Sequence, residues 1–564
     1  MTRRRRQDEY ADESGAIRKS WRNRLRVALG YPNRYAVGMS SLGFQAVYGL
    51  LNAREEVVCE RFFLPAPGSP VRTVESGRPI SDFDIVAFSV SFENDYVHLV
   101  RLLKEAGLPL PAEERGSPHP LVMAGGVACF LNPEPIAPFL DCVLIGEAEA
   151  VLPGFLDRYD PREDRRTLLR ALAREVEGVY VPSFYRIAYA SDGTLASITP
   201  DGGVPERVRR ARVGSLDEVS TRTVVLTEQT SFSGTALIEV SRGCPHGCRF
   251  CSAGFVYRPP RFRPVERLEA EIRDELTRTD RIGLVGAAIS DLPGVGGLCA
   301  RLEGDGVRIS FSSLRADALT PELIHALRQN RTKTATIAPE AGSERMRRVI
   351  NKGVTEEDVM NAAVHLVEGG IPNLKLYFIV GLPTETDDDV DAVVDLVARV
   401  RAGFLEASRP RKRIGTLTVS VTPFIPKPFT PFQWAPMEPE AQLRRKLAGL
   451  RQRLARMPNV RFQSEAVRES VVQALLSRGD RRLAESIALQ ASSGESWSRY
   501  LKRSALGSAL ITQRRREPAE ILPWDLIDIG VSKAFLWKEY QRALTAKTTA
   551  PCPMHACRIC GVCG

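Results

Sequence analysis

At 564 residues and 43% hydrophobic, the chain is long enough to bury several cores, and it holds no unbroken apolar run near the roughly eighteen residues of a membrane-crossing helix. Its net charge of +10 arises from 78 basic against 68 acidic residues, an excess too diffuse to mark a nucleic-acid surface by itself. The opening MTRRRRQDEYADES lacks the apolar core of a secretory signal, so the expected setting is cytoplasmic, where the eleven cysteines serve metals or catalysis rather than disulfides.

After a basic tail over 1–23, residues 24–158 alternate short β-rich runs (RLRVALGYP, EEVVCERFFLP, DFDIVAFSVSF, PLVMAGGVACF) with helical patterns such as LGFQAVYGLLNA and YVHLVRLLKEAG. That rhythm predicts an open, mostly parallel sheet with helices on both faces: a doubly wound, Rossmann-like α/β domain whose crevice lies beyond the carboxyl ends of its strands. Residues 159–234 carry the turn signals SDGT and PDGG and short alternating runs, which predict a β-rich connector.

Over 235–436 the rhythm returns with a longer period. Six strand candidates, ALIEVSR, RIGLVGAAIS, GVRISFSS, KTATIAPE, NLKLYFIVG and TLTVSVTPF, have helical patterns after the first five. They predict a partial, TIM-like (β/α)6 barrel, in which chemistry sits at the carboxyl ends of the strands. Thr320 before Pro321 reads as a helix cap, and Thr355 with Asp358 as a loosened capping box. Residues 437–550 read as helical and basic, and 551–564 as a cysteine-rich tail.

Directly after the first barrel strand stands VSRGCPHGCRFCSAG, with Cys244, Cys248 and Cys251 in the expected loop at the active end of the barrel. Three thiolates suit a soft metal centre, and they leave one iron of a four-iron cluster without a protein ligand. The competing reading is a zinc knuckle, which needs a fourth ligand; His246, inside the tight CPHGC loop, is an awkward candidate. Cys59, Cys129, Cys142 and Cys299 lie in apolar runs and read as core residues, and His325 and His365 as packing or surface histidines.

The CxxxCxxC stretch resembles that of the radical SAM superfamily, in which it holds a [4Fe-4S] cluster whose fourth iron is chelated by the amino and carboxylate groups of S-adenosyl-L-methionine. Phe250 stands at the family's aromatic place before the third cysteine. GLPTET from Gly381 resembles the turn where the backbone approaches adenine. PEAGSERMRRVINKG from Pro339 resembles the segment that handles the cofactor's ribose and carboxylate, which implies roles for Glu340, Ser343 and Arg345. SFSSLRAD from Ser310 offers Ser313 and Arg315. Where the family often has Gly-Gly-Glu for the methionine amine, this chain has GAAISD, leaving Ser290 or Asp291 as substitutes. The resemblance implies an electron donor such as flavodoxin or ferredoxin; no motif sets an oligomeric state.

GYPNRYAVGMSSLGFQAVYGLLN, AGGVACFLNPEPIAPFLDCVLIGEAEA and TPFIPKPFTPFQW resemble radical SAM proteins that carry an N-terminal cobalamin (B12)-binding-like domain. The resemblance implies that Gly125, Gly126, Gly146 and Glu147 cradle a corrin; tight strand-to-helix turns are the plainer account of the glycines. The first histidine is His98, so the usual lower cobalt ligand after the first strand is missing. Either cobalamin binds without it, or the domain serves substrate binding. In the tail, Cys552, Cys557, Cys560 and Cys563 match the ligand count of a second iron–sulfur cluster or a tetrahedral zinc, and the radical SAM setting favours the cluster. The resulting expectation is a transferase that cleaves S-adenosylmethionine to a 5′-deoxyadenosyl radical for cobalamin-dependent methyl transfer to an unactivated carbon. The alternatives are a methylthio- or sulfur-inserting enzyme acting on RNA or protein, and an iron–sulfur redox sensor that binds nucleic acid. The basic C-terminal region makes an RNA or ribosomal substrate an expectation for salt-dependence measurements.

Overall fold

Short runs that are apolar on both faces form strands only where helices cover each side, and the N-terminal third of the chain is built from such runs. The computed structural model describes residues 12–312, 314–412, 414–494, 508–554 and 557–563, with 497 and 499; Ser313 lies outside the described residues. The chain divides into two units, one comprising Met1–Ala236, Leu475–Ser508 and Ala519–Gly530, the other Leu237–Ala474, Ala509–Pro518 and Val531–Gly564.

The first unit centres on six strands, β1 (Leu25–Tyr31), β2 (Val57–Phe63), β3 (Ile85–Ser89), β4 (Leu121–Gly125), β5 (Cys142–Leu144) and β6 (Val179–Tyr180), in the order β2-β1-β3-β4-β5-β6. The first five run parallel, and β6 is antiparallel to β5. Every residue of β2 is buried, including Arg61, whose guanidinium meets Glu13 at 2.8 Å and Glu75 at 2.7 Å. The α/β class expected from the alternating pattern is therefore present. A hairpin of β7 (Tyr185–Tyr189) and β8 (Leu195–Pro200) turns at the SDGT signal, and β9 (Val208–Arg209) pairs with a two-residue strand at Ile527–Asp528. The connector region differs from the expectation in containing a helix, Arg165–Glu175, capped by Asp164 and buried along Leu168, Leu169 and Leu172. Its arginines crowd the exposed face and obscure a period carried by only a few leucines.

In the second unit, β10 (Ala236–Glu239) leads into β11 (Ser241–Arg242), which pairs antiparallel with β12 (Arg261–Phe262). One three-stranded sheet joins β10, β13 (Arg281–Val285) and β14 (Arg308–Phe311). A second, wholly parallel sheet joins β15 (Thr334–Glu340), β16 (Asn373–Val380), β17 (Leu417–Pro423) and β18 (Val460–Ser464). All six expected strands are present, and β18 is a seventh. Its sequence VRFQS alternates but has only two apolar residues and sits among helices, so its period is too weak to stand out.

Leu374, Leu376, Phe378 and Val380 of β16 and Leu417, Val419 and Val421 of β17 point into a core shared with the helices Glu356–Glu368, Asp387–Ser408 and Glu440–Leu454. Strand alternation turns Lys375, Tyr377, Thr418 and Ser420 to the other face, where they stay half-buried. Glu340, at the end of β15, is likewise half-buried. Thr320 accepts the Leu323 N–H, and Thr355 forms its capping box with Asp358, as their spacing predicts. The expected helical region 437–550 is shared out: Glu440–Leu454 belongs to the second core, whereas Ala484–Ser493 packs on the helix Tyr96–Glu105 of the first unit.

Candidate active site

The cysteine loop leaves β11 at Gly243, whose φ of +86° is left-handed. A Cβ there would stand 2.8 Å from the Tyr257 carbonyl oxygen, so both conformation and space demand glycine. The Cys251 N–H donates to the Cys248 carbonyl at 3.1 Å, closing the turn that sets the last two thiols. Cys248 is buried, and Cys244 and Cys251 are partly so.

Burial pushes the Cys244 thiol up to about 12; a backbone bond from His246 opposes this, and charge on Cys248 and Cys251 adds to it. Burial raises Cys248 and Cys251 as well, while the Lys352 ammonium pulls both down and the Arg315 guanidinium does the same at Cys248. The three sulfurs thus lie within electrostatic reach of one another, with two cations beside them.

Around the thiols stand charges of both signs. Lys352 Nζ meets Glu340 Oε1 at 3.1 Å, with both side chains largely buried. Glu340 holds a φ of +66°, and the β15–β16 register shifts between Ile337 and Glu340. A non-glycine residue in that region costs of order 1 kcal/mol or more, so the packing around it over-determines its position. Arg315 donates from Nε and Nη2 to Asp317 at 2.9 and 2.8 Å and from Nη2 to the Lys352 carbonyl at 3.2 Å, and its N–H reaches Ser290 Oγ at 3.3 Å. His246 Nε2 lies 3.0 and 3.1 Å from the two carboxylate oxygens of Asp291. Four of the sequence-derived candidates, Ser290, Asp291, Arg315 and Glu340, are thereby linked to one another through Lys352 or to the cysteine loop through His246. Lys352 was missed, although it stands next to last in the very segment that suggested Glu340; nothing local marks a lysine that follows a helix as pairing back to the strand end before it.

Other candidates are engaged elsewhere. Ser343 caps the helix Glu344–Val349 and donates from Oγ to Asp389 at 2.6 Å, and Arg345 pairs with the same carboxylate and donates to the Thr384 carbonyl at 2.7 Å. Gly381 has a φ of +82°, and a Cβ there would stand 2.8 Å from Leu443 Cδ2. Phe250 is half-buried between Arg249 and Cys251 in the chain.

In the first unit, Gly125 ends β4, and its carbonyl accepts the Val90 N–H at 2.8 Å. Gly126, at φ +101°, lets the Val90 carbonyl come within 2.5 Å of where a Cβ would sit. Gly146, at φ +128°, admits the Ala211 carbonyl to within 2.1 Å of its own Cβ position. Glu147 receives the Val213 N–H at 3.0 Å. The close approach that glycine permits at 126 and 146 is thus made by this chain's own backbone. In the tail, the Cys552 N–H donates to the Pro245 carbonyl at 2.8 Å, the Cys560 carbonyl accepts from Ser532 at 2.9 Å, and Cys563 is exposed. Cys59, Cys129, Cys142 and Cys299 are buried, as apolar surroundings foretell.

Residues 43–182 match the family described as radical SAM proteins, N-terminal, and residues 238–397 match the radical SAM superfamily. The chain is 30% identical over 463 residues to the uncharacterized protein MJ0966 of Methanocaldococcus jannaschii, an alignment spanning 81% of this chain and 90% of that one. The chain belongs to the radical SAM superfamily. Another relative, the tRNA-2-methylthio-N(6)-dimethylallyladenosine synthase of Cereibacter sphaeroides, is 29% identical over 192 residues, 32% of this chain and 44% of that one. Among solved structures, the apo cobalamin-dependent S-adenosylmethionine radical enzyme OxsB aligns with a TM-score of 0.42 and 17% identity, over 66% of this chain and 51% of that one.

Radical SAM membership implies a [4Fe-4S] cluster and S-adenosylmethionine, and the residues fit them. Among the described residues no group of three or more His, Cys, Asp or Glu side chains is gathered as a single-ion site. A cubane does not ask for that, because each cysteine binds its own iron. Burial that disfavours three free thiolates is compensated when they bind a cationic centre. No described helix is long and apolar enough to cross a membrane.

Proposed function

We propose that this radical SAM enzyme transfers a methylthio or methyl group to an unactivated carbon, with Cys244, Cys248 and Cys251 holding the cluster and Ser290, Asp291, Arg315, Glu340 and Lys352 receiving S-adenosylmethionine. When bound, the cluster and S-adenosylmethionine supply a 5′-deoxyadenosyl radical able to take hydrogen from carbon. The observation that carries the reading is the paired charge beside the thiols. Lys352 and Arg315 present cations at Cys248, which suits a carboxylate, and Glu340 and Asp291 present anions, which suits an amine. A zwitterionic amino acid end therefore meets complementary charge on both its groups. The largely buried Lys352, 3.1 Å away, holds the Glu340 carboxylate in place. Lys352→Met should weaken S-adenosylmethionine binding about tenfold or more while leaving iron per chain unchanged, as measured by equilibrium binding to anaerobically prepared protein. Reduced protein that yields neither 5′-deoxyadenosine nor S-adenosylhomocysteine would favour the sensor.

Methylthio transfer is favoured by the identity to the Cereibacter synthase, whose name makes tRNA its substrate; here an RNA is proposed by that likeness and by the basic charge. Cys552, Cys557, Cys560 and Cys563 would hold the second centre. Cobalamin-dependent methyl transfer is supported by the order β2-β1-β3-β4-β5, since ligands of such doubly wound sheets bind where the order reverses, between β1 and β3. Gly126, Gly146 and Glu147 leave the corrin contacts in that reading, because Val90, Ala211 and Val213 already engage them. A corrin retained on the purified protein, read by absorbance and mass spectrometry, decides for cobalamin.

A further inference from the structure

Arg249 sits between Cys248 and Phe250 and is fully buried, a costly place for a guanidinium unless every donor is used. Its Nε and Nη2 donate to Glu539 Oε2 at 3.2 and 3.0 Å. Nη1 donates to the carbonyls of Arg348 and Val349 at 3.1 and 2.9 Å, and Nη2 to that of Lys547 at 2.7 Å. The Arg249 N–H reaches the Ile350 carbonyl at 2.9 Å. Thr549 Oγ1 donates to both Glu539 oxygens, at 2.9 and 2.8 Å. Asn351 completes the link: its Nδ2 donates to the carbonyls of Gly247 at 3.2 Å and Thr549 at 3.1 Å, and its Oδ1 accepts the Thr549 N–H at 2.8 Å. Last, the Cys552 N–H donates to the Pro245 carbonyl at 2.8 Å.

Three segments far apart in the chain, 244–251, 348–351 and 539–552, therefore meet at one buried ion pair. We propose that residues 539–552 are a clasp that sets the cysteine loop, with Arg249 as the positioning residue that fixes the spacing of Cys248 and Cys251. The clasp also brings the start of the C-terminal cysteine set onto the catalytic loop, so the two cysteine motifs share one mechanical unit. This rests on the reading that Cys244, Cys248 and Cys251 hold the cluster.

The test uses the full chain, prepared anaerobically and reconstituted with iron and sulfide, and reads hydrogen exchange of the 244–251 peptide together with the electron paramagnetic resonance spectrum of the reduced protein, with and without S-adenosylmethionine. Arg249→Met and Glu539→Gln should raise loop exchange about tenfold and change the spectrum and its response to S-adenosylmethionine, with partial rescue in Arg249→Lys. Should those variants fold poorly, Cys552→Pro and Cys552→Ala, compared in the iron-free protein so that neither loses a bound second centre, separate the parts: the first removes the N–H given to Pro245 and should loosen the loop, the second keeps it and should not. Wild-type exchange and wild-type spectra in Arg249→Met or Glu539→Gln overturn the clasp, as does equal exchange in the two Cys552 variants. If the wild-type chain takes up no four-iron cluster, the reading of the site fails, while exchange in the iron-free protein still decides the clasp.

Discussion

Gly243 shows how one missing side chain sets a site. Because its φ is positive and the Tyr257 carbonyl lies 2.8 Å from any Cβ, Gly243→Ala must move the loop that follows. The expected outcome is a loss of iron per chain after reconstitution, with the far-ultraviolet circular dichroism unchanged, since the strands do not depend on this turn. Asp389 carries a different kind of prediction. Burial alone would raise its carboxyl, but hydrogen bonds from Arg345, Ser343 and Thr386 bring it down to about 2. A depressed carboxylate contributes stability that is full above its unfolded value, near 4, and is lost as pH falls through the folded value. Asp389→Asn should therefore be less stable than wild type at neutral pH, and the gap should close between about pH 4 and pH 2. Because Arg345 is partly exposed and screened, the contribution is roughly 1–2 kcal/mol. Denaturant midpoints at each pH measure it.

Among the elements, the long helix Asp387–Ser408 depends on its start. Thr386 Oγ1 accepts the Asp389 N–H and the Asp389 carboxylate accepts the Thr386 N–H, so the same carboxylate that holds Arg345 also closes the capping box. Thr386→Ala should cost about 1 kcal/mol, seen as faster exchange in the first turn of that helix. Since Thr386 and Arg345 share a partner, the double substitution should depart from the sum of the single ones. Elements with strong periods were legible from the residues alone: the strands of the second unit and the caps at Thr320 and Thr355 follow from spacings of a few residues. The helix Arg165–Glu175 and the strand Val460–Ser464 were not, because each carries too few apolar residues for its period to emerge from charged neighbours. Their form is stabilised by what they pack against, and periodicity does not record that.

Across the whole chain 78 basic residues outnumber 68 acidic ones, so under the RNA reading the substrate would bind through phosphates neutralised by several of them. Under the RNA reading, affinity for tRNA should fall steeply between 50 and 200 mM salt, by about a thousandfold if some six phosphates are contacted. A flat response removes nucleic acid from the substrates.

The cysteine spacing, the alternation of strands and helices and the glycine turns were determined by sequence alone, because each depends on residues within one turn or one strand of each other. The tertiary structure alone decided that Lys352 pairs with Glu340, that Ala211 fills the space beside Gly146, and that Cys552 meets Pro245. Those meetings join residues from distant parts of the chain. Local pattern specifies which face of an element is apolar, but only the packing of elements on one another determines which polar side chains end beside which.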